Sequence, residues 1–213
     1  KTERQGFRLN FTECNVTEIL KETHKRFTSL AKQKGLDFVL QMPEKDFYAH
    51  INQEAFTKII SNLLNNGVKY AESYVHISLA VPDTDGGNSF RICTVNDGVI
   101  IPDAMKEEIF KPFVRFNEQE DGKVTTGTGI GLALSRSLAE LHQGTLTMGK
   151  GEENNTFCMT LPIVQDTTIT LTTEVEAGTD KINEAPAEQA VEKDNRPTVL
   201  VAEDNPDMLA FVV

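Results

Sequence analysis

The 213 residues carry 21 lysines and arginines against 32 aspartates and glutamates, a formal charge of −11, with 39% hydrophobic side chains. That apolar content supplies an ordinary core for one or two domains, the negative balance argues against a nucleic-acid partner, and no apolar run approaches the roughly 18 residues of a membrane span. Cys14, Cys93 and Cys158 are scattered without metal-ligand spacing and read as small core or strand residues of a reducing compartment, so a cytoplasmic protein without direct membrane contact is expected.

Lys1-Thr2-Glu3-Arg4 shows no apolar leader. Residues 7–11 alternate like a short strand, and Val16, Ile19, Leu20, Phe27 and Leu30 mark an amphipathic helix ending before Gly35. Strands at 36–41 and 47–50 precede a helix from about Asn52, in which Phe56, Ile59, Ile60, Leu63 and Leu64 repeat at helical spacing. Asn62, Asn66 and Lys69 fall within about 60° of one another on another face of that helix. Two amides and an ammonium there suit a phosphate or metal ligand; the plainer reading is a solvated face ending in an Asn66-Gly67 turn.

Strands at 74–81 and 90–95 bracket a turn-rich hairpin connection. Asp103 begins a short helix carrying Phe110 and Phe113, whose energetic role is core packing. The segment from Asn117 to Lys123 is polar, as a loop that orders over a ligand is. Gly127-Thr128-Gly129-Ile130-Gly131-Leu132 then opens a helix from Ile130 to about Leu141, where free backbone N–H groups and the helix dipole favour phosphate. Strands at 145–148 and 156–161 follow. Helices interspersed with hairpins predict helices on one face of a mixed sheet. Residues 1–164 form this domain. Residues 165–196 read as an acidic linker, since eight acids face two lysines from Asp166 to Asn195. Residues 197–213 start a further unit too short to bury a core.

Four segments in order resemble the nucleotide-binding domain of sensor histidine kinases, within the wider superfamily of gyrase, heat-shock chaperone, histidine kinase and mismatch-repair ATPases. Asn62 to Tyr70 is similar to the asparagine box, Asn96-Asp97-Gly98-Val99-Ile100-Ile101-Pro102 to the first glycine box, Ile109 to Arg115 to the phenylalanine box, and Gly127 to Leu132 to the second glycine box. Four motifs in order are specific where one glycine-rich turn is not, and the P-loop sequence is absent. The resemblance implies an α/β (α+β) two-layer sandwich of the Bergerat ATP-binding type, with ATP and Mg2+ bound.

The roles it implies attach to individual residues. Asn66 coordinates the metal, Asn62 orients a water or phosphate oxygen, and Lys69 acts as a point charge on the phosphates. Tyr70, Gly98 and Ile101 belong to the same site. Phe110 and Phe113 anchor one end of an ATP lid over residues 111–126; Gly127, Thr128, Gly129, Gly131 and Leu132 anchor the other. Arg115 reaches the terminal phosphate, unless it is a solvated surface arginine.

The sequence departs from the pattern at three positions. Gly67 replaces the usual alanine, costing the helix about 1 kcal/mol. Asn96 stands where the family has an aspartate accepting from the adenine amino group; its carbonyl oxygen can accept, and its amide can also donate. Ile100 replaces the second glycine. An alternative register puts Asp97 at the adenine.

His24, His50, His76 and His142 are followed by Lys25, Ile51, Ile77 and Gln143, not by the acid that follows the family's phosphoacceptor. The dimerisation and phosphoacceptor helices are therefore expected upstream, with no catalytic residue here and a homodimer in the parent. Pro197 to Leu209 resembles the opening of a response-regulator receiver, with Glu203 and Asp204 as an incomplete Mg2+ site. The implied parent is a hybrid histidine kinase that transfers the γ-phosphoryl group of ATP to a histidine for relay to a receiver aspartate in two-component signal transduction. The alternatives are a degenerate nucleotide-binding regulatory module and another ATPase of the superfamily.

Overall fold

Asn15 and Asn52 start the two long helices: each side-chain oxygen accepts from the backbone N–H three residues on, that of Glu18 and of Ala55. The computed structural model describes residues 9–82, 87–116, 128–149 and 153–165, all within one unit, Lys1–Thr173. The expected linker and receiver opening lie outside the described residues except for Gln165, as do Gly127, Glu203 and Asp204. Strand β1 (Thr12–Asn15) leads into helix α1 (Val16–Gln33), then β2 (Asp37–Gln41), β3 (Tyr48–Ile51) and helix α2 (Gln53–Tyr70). Next come β4 (Tyr74–Ala80), β5 (Ser89–Asn96), two 3-10 turns (Asp103–Met105 and Glu108–Phe110), helix α3 (Gly131–Leu141), β6 (Thr145–Met148) and β7 (Asn155–Pro162).

Five strands form one mixed sheet in the order β2-β4-β5-β7-β6, parallel between β2 and β4 and antiparallel elsewhere; β1 and β3 pair separately. Alternation separates the faces. Ile77 and Leu79 of β4, Phe90 and Ile92 of β5, and Phe157, Met159 and Leu161 of β7 are buried in the core with Phe56, Ile60 and Leu64 of α2, and Val75 of β4 packs with Ala31, Leu36 and Val68. The mixed sheet carrying its helices on one face is the expected fold class.

Three expectations need correction. Among the described residues the first strand is Thr12–Asn15, with 9–11 outside it, because its register is set by antiparallel pairing with β3, Thr12 opposite Ile51. The expected helix after Asp103 is two 3-10 turns. Cys93 and Cys158 form a disulfide: they face each other in the register of β5 and β7, Cα atoms 4.1 Å apart, while Cys14 is free and buried. The pair lie 65 positions apart in sequence, so only strand pairing reveals it.

His142 fastens α3 to the start of α2. Its Nδ1 donates to the Leu138 carbonyl at 2.6 Å and its Nε2 accepts from the Asn52 N–H at 3.2 Å, which defines a neutral imidazole. Burial holds its pKa below the ordinary histidine value, against the opposing pull of the Leu138 carbonyl; burial lowers His24 as well. With both folded pKa values depressed, the unfolded chain binds protons first, so their contribution is full above about pH 6.5 and is lost as pH falls below it. Urea titrations should give stability that is flat above about pH 6.5 and falls as the pH is lowered below it. His142→Gln should lower stability but flatten that slope; an unchanged slope would assign the protons elsewhere.

Candidate functional site

Helix α2 runs without a break through Gly67 to Tyr70, so the turn at Asn66-Gly67 that the plainer reading of this face required does not form. Gly67 instead lets the helix approach β4, since a Cβ there would press on Val75 Cγ1 at 2.9 Å. The polar face of α2 consequently remains one continuous surface. Asn62, Asn65, Asn66, Lys69 and Tyr70 of that face line a cavity of about 610 Å3, a size typical of small-molecule sites. Thr128, Gly129, Gly131 and Leu132 line it from the start of α3, Asn96 from the end of β5, and Val99, Ile101 and Arg115 from the segments after it. The segments read as four motifs thus meet around one space.

Individual placements are more specific than the motifs. Asn62 Nδ2 donates to Ser135 Oγ at 2.9 Å, and a Cβ on Gly131 would collide with the Asn62 amide, so this asparagine also ties α2 to the first turns of α3. The Asn66 side chain is half-buried and has no hydrogen bond to a described residue. Lys69 Nζ lies 4.7 Å from the centre of the half-exposed Tyr70 ring. Helix α3 starts with no side-chain cap at Ile130, which leaves its first N–H groups to other partners.

The two candidate acceptors of the first glycine box point different ways. Asp97 is absent from the cavity lining: its carboxylate accepts from the backbone N–H of Glu72, Ser73 and Tyr74 and from the Ser73 hydroxyl. Burial pushes its pKa up, but these four donors outweigh it and hold the carboxyl far below the usual range. Asn96, its neighbour on the inner face of β5, lines the cavity. A Cβ on Gly98 would collide with the Tyr70 carbonyl, so only glycine lets this loop cross the end of α2.

Phe110 and Phe113 part company. Phe110 is buried, with the Arg136 guanidinium stacked 3.7 Å above its ring; that guanidinium also bonds Glu107, which lowers the Glu107 pKa, and the Leu146 carbonyl. Phe113, predicted to be core, is 73% exposed. Its backbone sits at φ +65°, which turns the side chain outward while its N–H donates to the Gly129 carbonyl at 3.0 Å. The phenylalanine and second glycine boxes are thereby tied together through main chain.

Sequence reasoning missed Asn155 and Lys34. Asn155, on β7, is buried and lines the cavity; its Oδ1 accepts from the Ile101 N–H at 3.0 Å and its Nδ2 donates to the Gly98 and Val99 carbonyls at 3.2 and 2.9 Å. The available signal was phase, since Asn155, Phe157, Met159 and Leu161 occupy the same inward positions. Lys34 lies at the cavity and caps α2 through the Val68 and Lys69 carbonyls at 2.8 and 3.0 Å. In a chain of charge −11, the described lining holds Lys34, Lys69 and Arg115 and no carboxylate. Among the described residues no cluster of three or more His, Cys, Asp or Glu could hold a metal, and no helix is long and apolar enough to cross a membrane.

Residues 51–176 match the family model described as histidine kinase-, DNA gyrase B-, and HSP90-like ATPase. The sensor histidine kinase WalK of Bacillus subtilis is 23% identical over 78% of the chain, and the sensor histidine kinase TmoS of Ectopseudomonas mendocina 26% identical over all of it. The chain spans 27% and 23% of these relatives, about a quarter of their length. The catalytic domain of histidine kinase ThkA superposes with a TM-score of 0.61 at 24% identity, covering 74% of this chain and all of that one. Full-length ShkA in complex with AMPPNP gives 0.63 at 20% identity, covering 81% of this chain and 34% of that one. At these identities the two structures establish a shared fold.

Proposed function

Because the chain belongs to the histidine kinase-, DNA gyrase B-, and HSP90-like ATPase family, we propose that its cavity binds magnesium ATP as the nucleotide-binding part of a sensor histidine kinase. The observation that carries this reading is the described lining of the cavity: its charged and amide groups are cations and asparagines, with no carboxylate among the described residues, in an otherwise acidic chain. ATP presents about four negative charges, and magnesium takes most of its oxygens from phosphate and water with one or two from protein. The donors fit a metal carried in by the nucleotide, with the Asn66 amide oxygen as the protein ligand. Magnesium would supply charge neutralisation on the phosphates. Lys69 and Arg115 would add point charge, and the N–H groups opening α3 would donate to the anion. Structures of relatives support the same direction: ShkA was solved with AMPPNP, and ThkA with a response regulator.

Orientation and charge stabilisation are the main contributions a protein makes to phosphoryl transfer. The chain would present the γ-phosphoryl group to a histidine on dimerisation helices belonging to the parent, for relay to a receiver aspartate. We place the domain boundary near 164, an acidic linker over 165–196 and the start of a receiver from 197. Chain 1–213 with Mg·ATP should bind nucleotide yet not label itself stably, and adding the upstream helices should restore acid-labile, base-stable phosphate. Robust self-labelling at His24, His50, His76 or His142 would overturn this division. Asn96 and Ile100 favour a second reading, a degenerate regulatory module; absence of nucleotide binding would select it.

A further inference from the structure

Burial varies across the lining of the cavity. Asn66, Lys69 and Arg115 are partly exposed, whereas Asn96 and Asn155 are 4% and 3% exposed and share the lining with Ile101, Ile109 and Phe157. Desolvating a triphosphate is far costlier than desolvating an aromatic base, so the phosphates take the more exposed, cationic part of the lining and the base the buried part. The ribose trails toward the phosphates. The edge of a purine opposite the ribose, which carries C6 and N1, therefore leads into the floor formed by the two amides.

Backbone groups fix which way those amides face. Asn155 Oδ1 accepts from the Ile101 N–H, so its Nδ2 turns to the Gly98 and Val99 carbonyls and to Asn96 Oδ1, 3.5 Å away. Asn96 Oδ1 also accepts from the Gly98 N–H at 3.2 Å. Turning either amide over would set N–H against N–H. The oxygen of Asn96 is thus engaged within the protein, while its Nδ2 has no hydrogen bond to a described residue. A carboxylate in this place would keep one oxygen for Gly98 and offer the other as an acceptor; the amide offers a donor instead.

We infer that Asn96 is a specificity-determining residue that reads the base through a hydrogen-bond donor, so that a 6-oxopurine triphosphate is held at least as tightly as a 6-aminopurine triphosphate. Asn155 is the positioning residue that holds Asn96 in this sense. The inference rests on the nucleotide reading of the cavity and specifies its ligand class. A C6 oxygen meets the Asn96 Nδ2 as acceptor to donor, whereas a C6 amino group meets it as donor to donor.

ATP and ITP separate these cases, because they differ only in the amino or oxo group at C6 and the accompanying proton at N1. Calorimetry on chain 1–213 with Mg·ATP and Mg·ITP should give an ITP affinity equal to or above that of ATP. Asn96→Asp should shift the ratio toward ATP by about tenfold, the worth of one hydrogen bond to a charged acceptor. Wild-type chain holding ATP tenfold or more tightly than ITP overturns the inference and leaves the nucleotide reading intact. So does an Asn96→Asp variant that binds both with an unchanged ratio. If neither triphosphate binds, the inference and the nucleotide reading fall together. Should Asn96→Asp fail to fold, the wild-type comparison decides alone.

Discussion

Asn66→Ala is expected to bring the affinity for ATP in magnesium down to its value in chelator, a loss of about 10- to 100-fold in line with the removal of groups that set a metal site. The amide is half-buried at the cavity and has no hydrogen bond to a described residue, so its removal leaves no protein group unpaired. Alanine also has the higher helix propensity, by a few tenths of a kcal/mol, so thermal stability should hold or rise. Calorimetry with and without chelator, alongside a melting curve, separates binding from folding. Unchanged magnesium dependence in a folded variant would remove Asn66 from the metal.

Gly98→Ala should be the most damaging single methyl in the described structure. Its Cβ would strike the carbonyl of Tyr70, a main-chain atom at the end of α2 that no rotamer change can move. Overpacking of this kind costs about 1–3 kcal/mol, which for a domain of this size lowers the melting temperature by roughly 2–12 °C. The same shift would pull the Gly98 N–H from Asn96 and the Gly98 carbonyl from Asn155, so nucleotide affinity should fall together with stability. Gly67→Ala is the control, because the atom it meets is the methyl end of Val75. A Gly98→Ala protein that melts and binds as wild type would show that the loop can cross α2 elsewhere.

Local spacing decides what repeats within one element. The apolar stripe of α2 and its polar face both follow from 3.6 residues per turn, and both are legible in the residues alone, as are the ends of α1 and β6 within a residue or two. The end of α1 is marked by Gly35 at φ +71°, a conformation glycine takes without strain. Motif order makes the meeting of four segments readable as a site.

What the chain could not announce by itself depends on pairs of residues far apart. Asn155 becomes a clamp on the loop after β5 only because β7 pairs with β5 in the register that sets Asn155 opposite Asn96. The same register joins Cys93 to Cys158. Asp97 and Asn96 are adjacent acceptors in sequence, yet strand alternation sends one to cap residues 72–74 and the other into the cavity. Phe113 leaves the core through a positive φ held by a hydrogen bond to Gly129, sixteen positions on. Periodicity is a property of one segment, which the sequence by itself determines. Register, close approach and the direction of a side chain are set by contacts between segments, and these the tertiary structure alone decides.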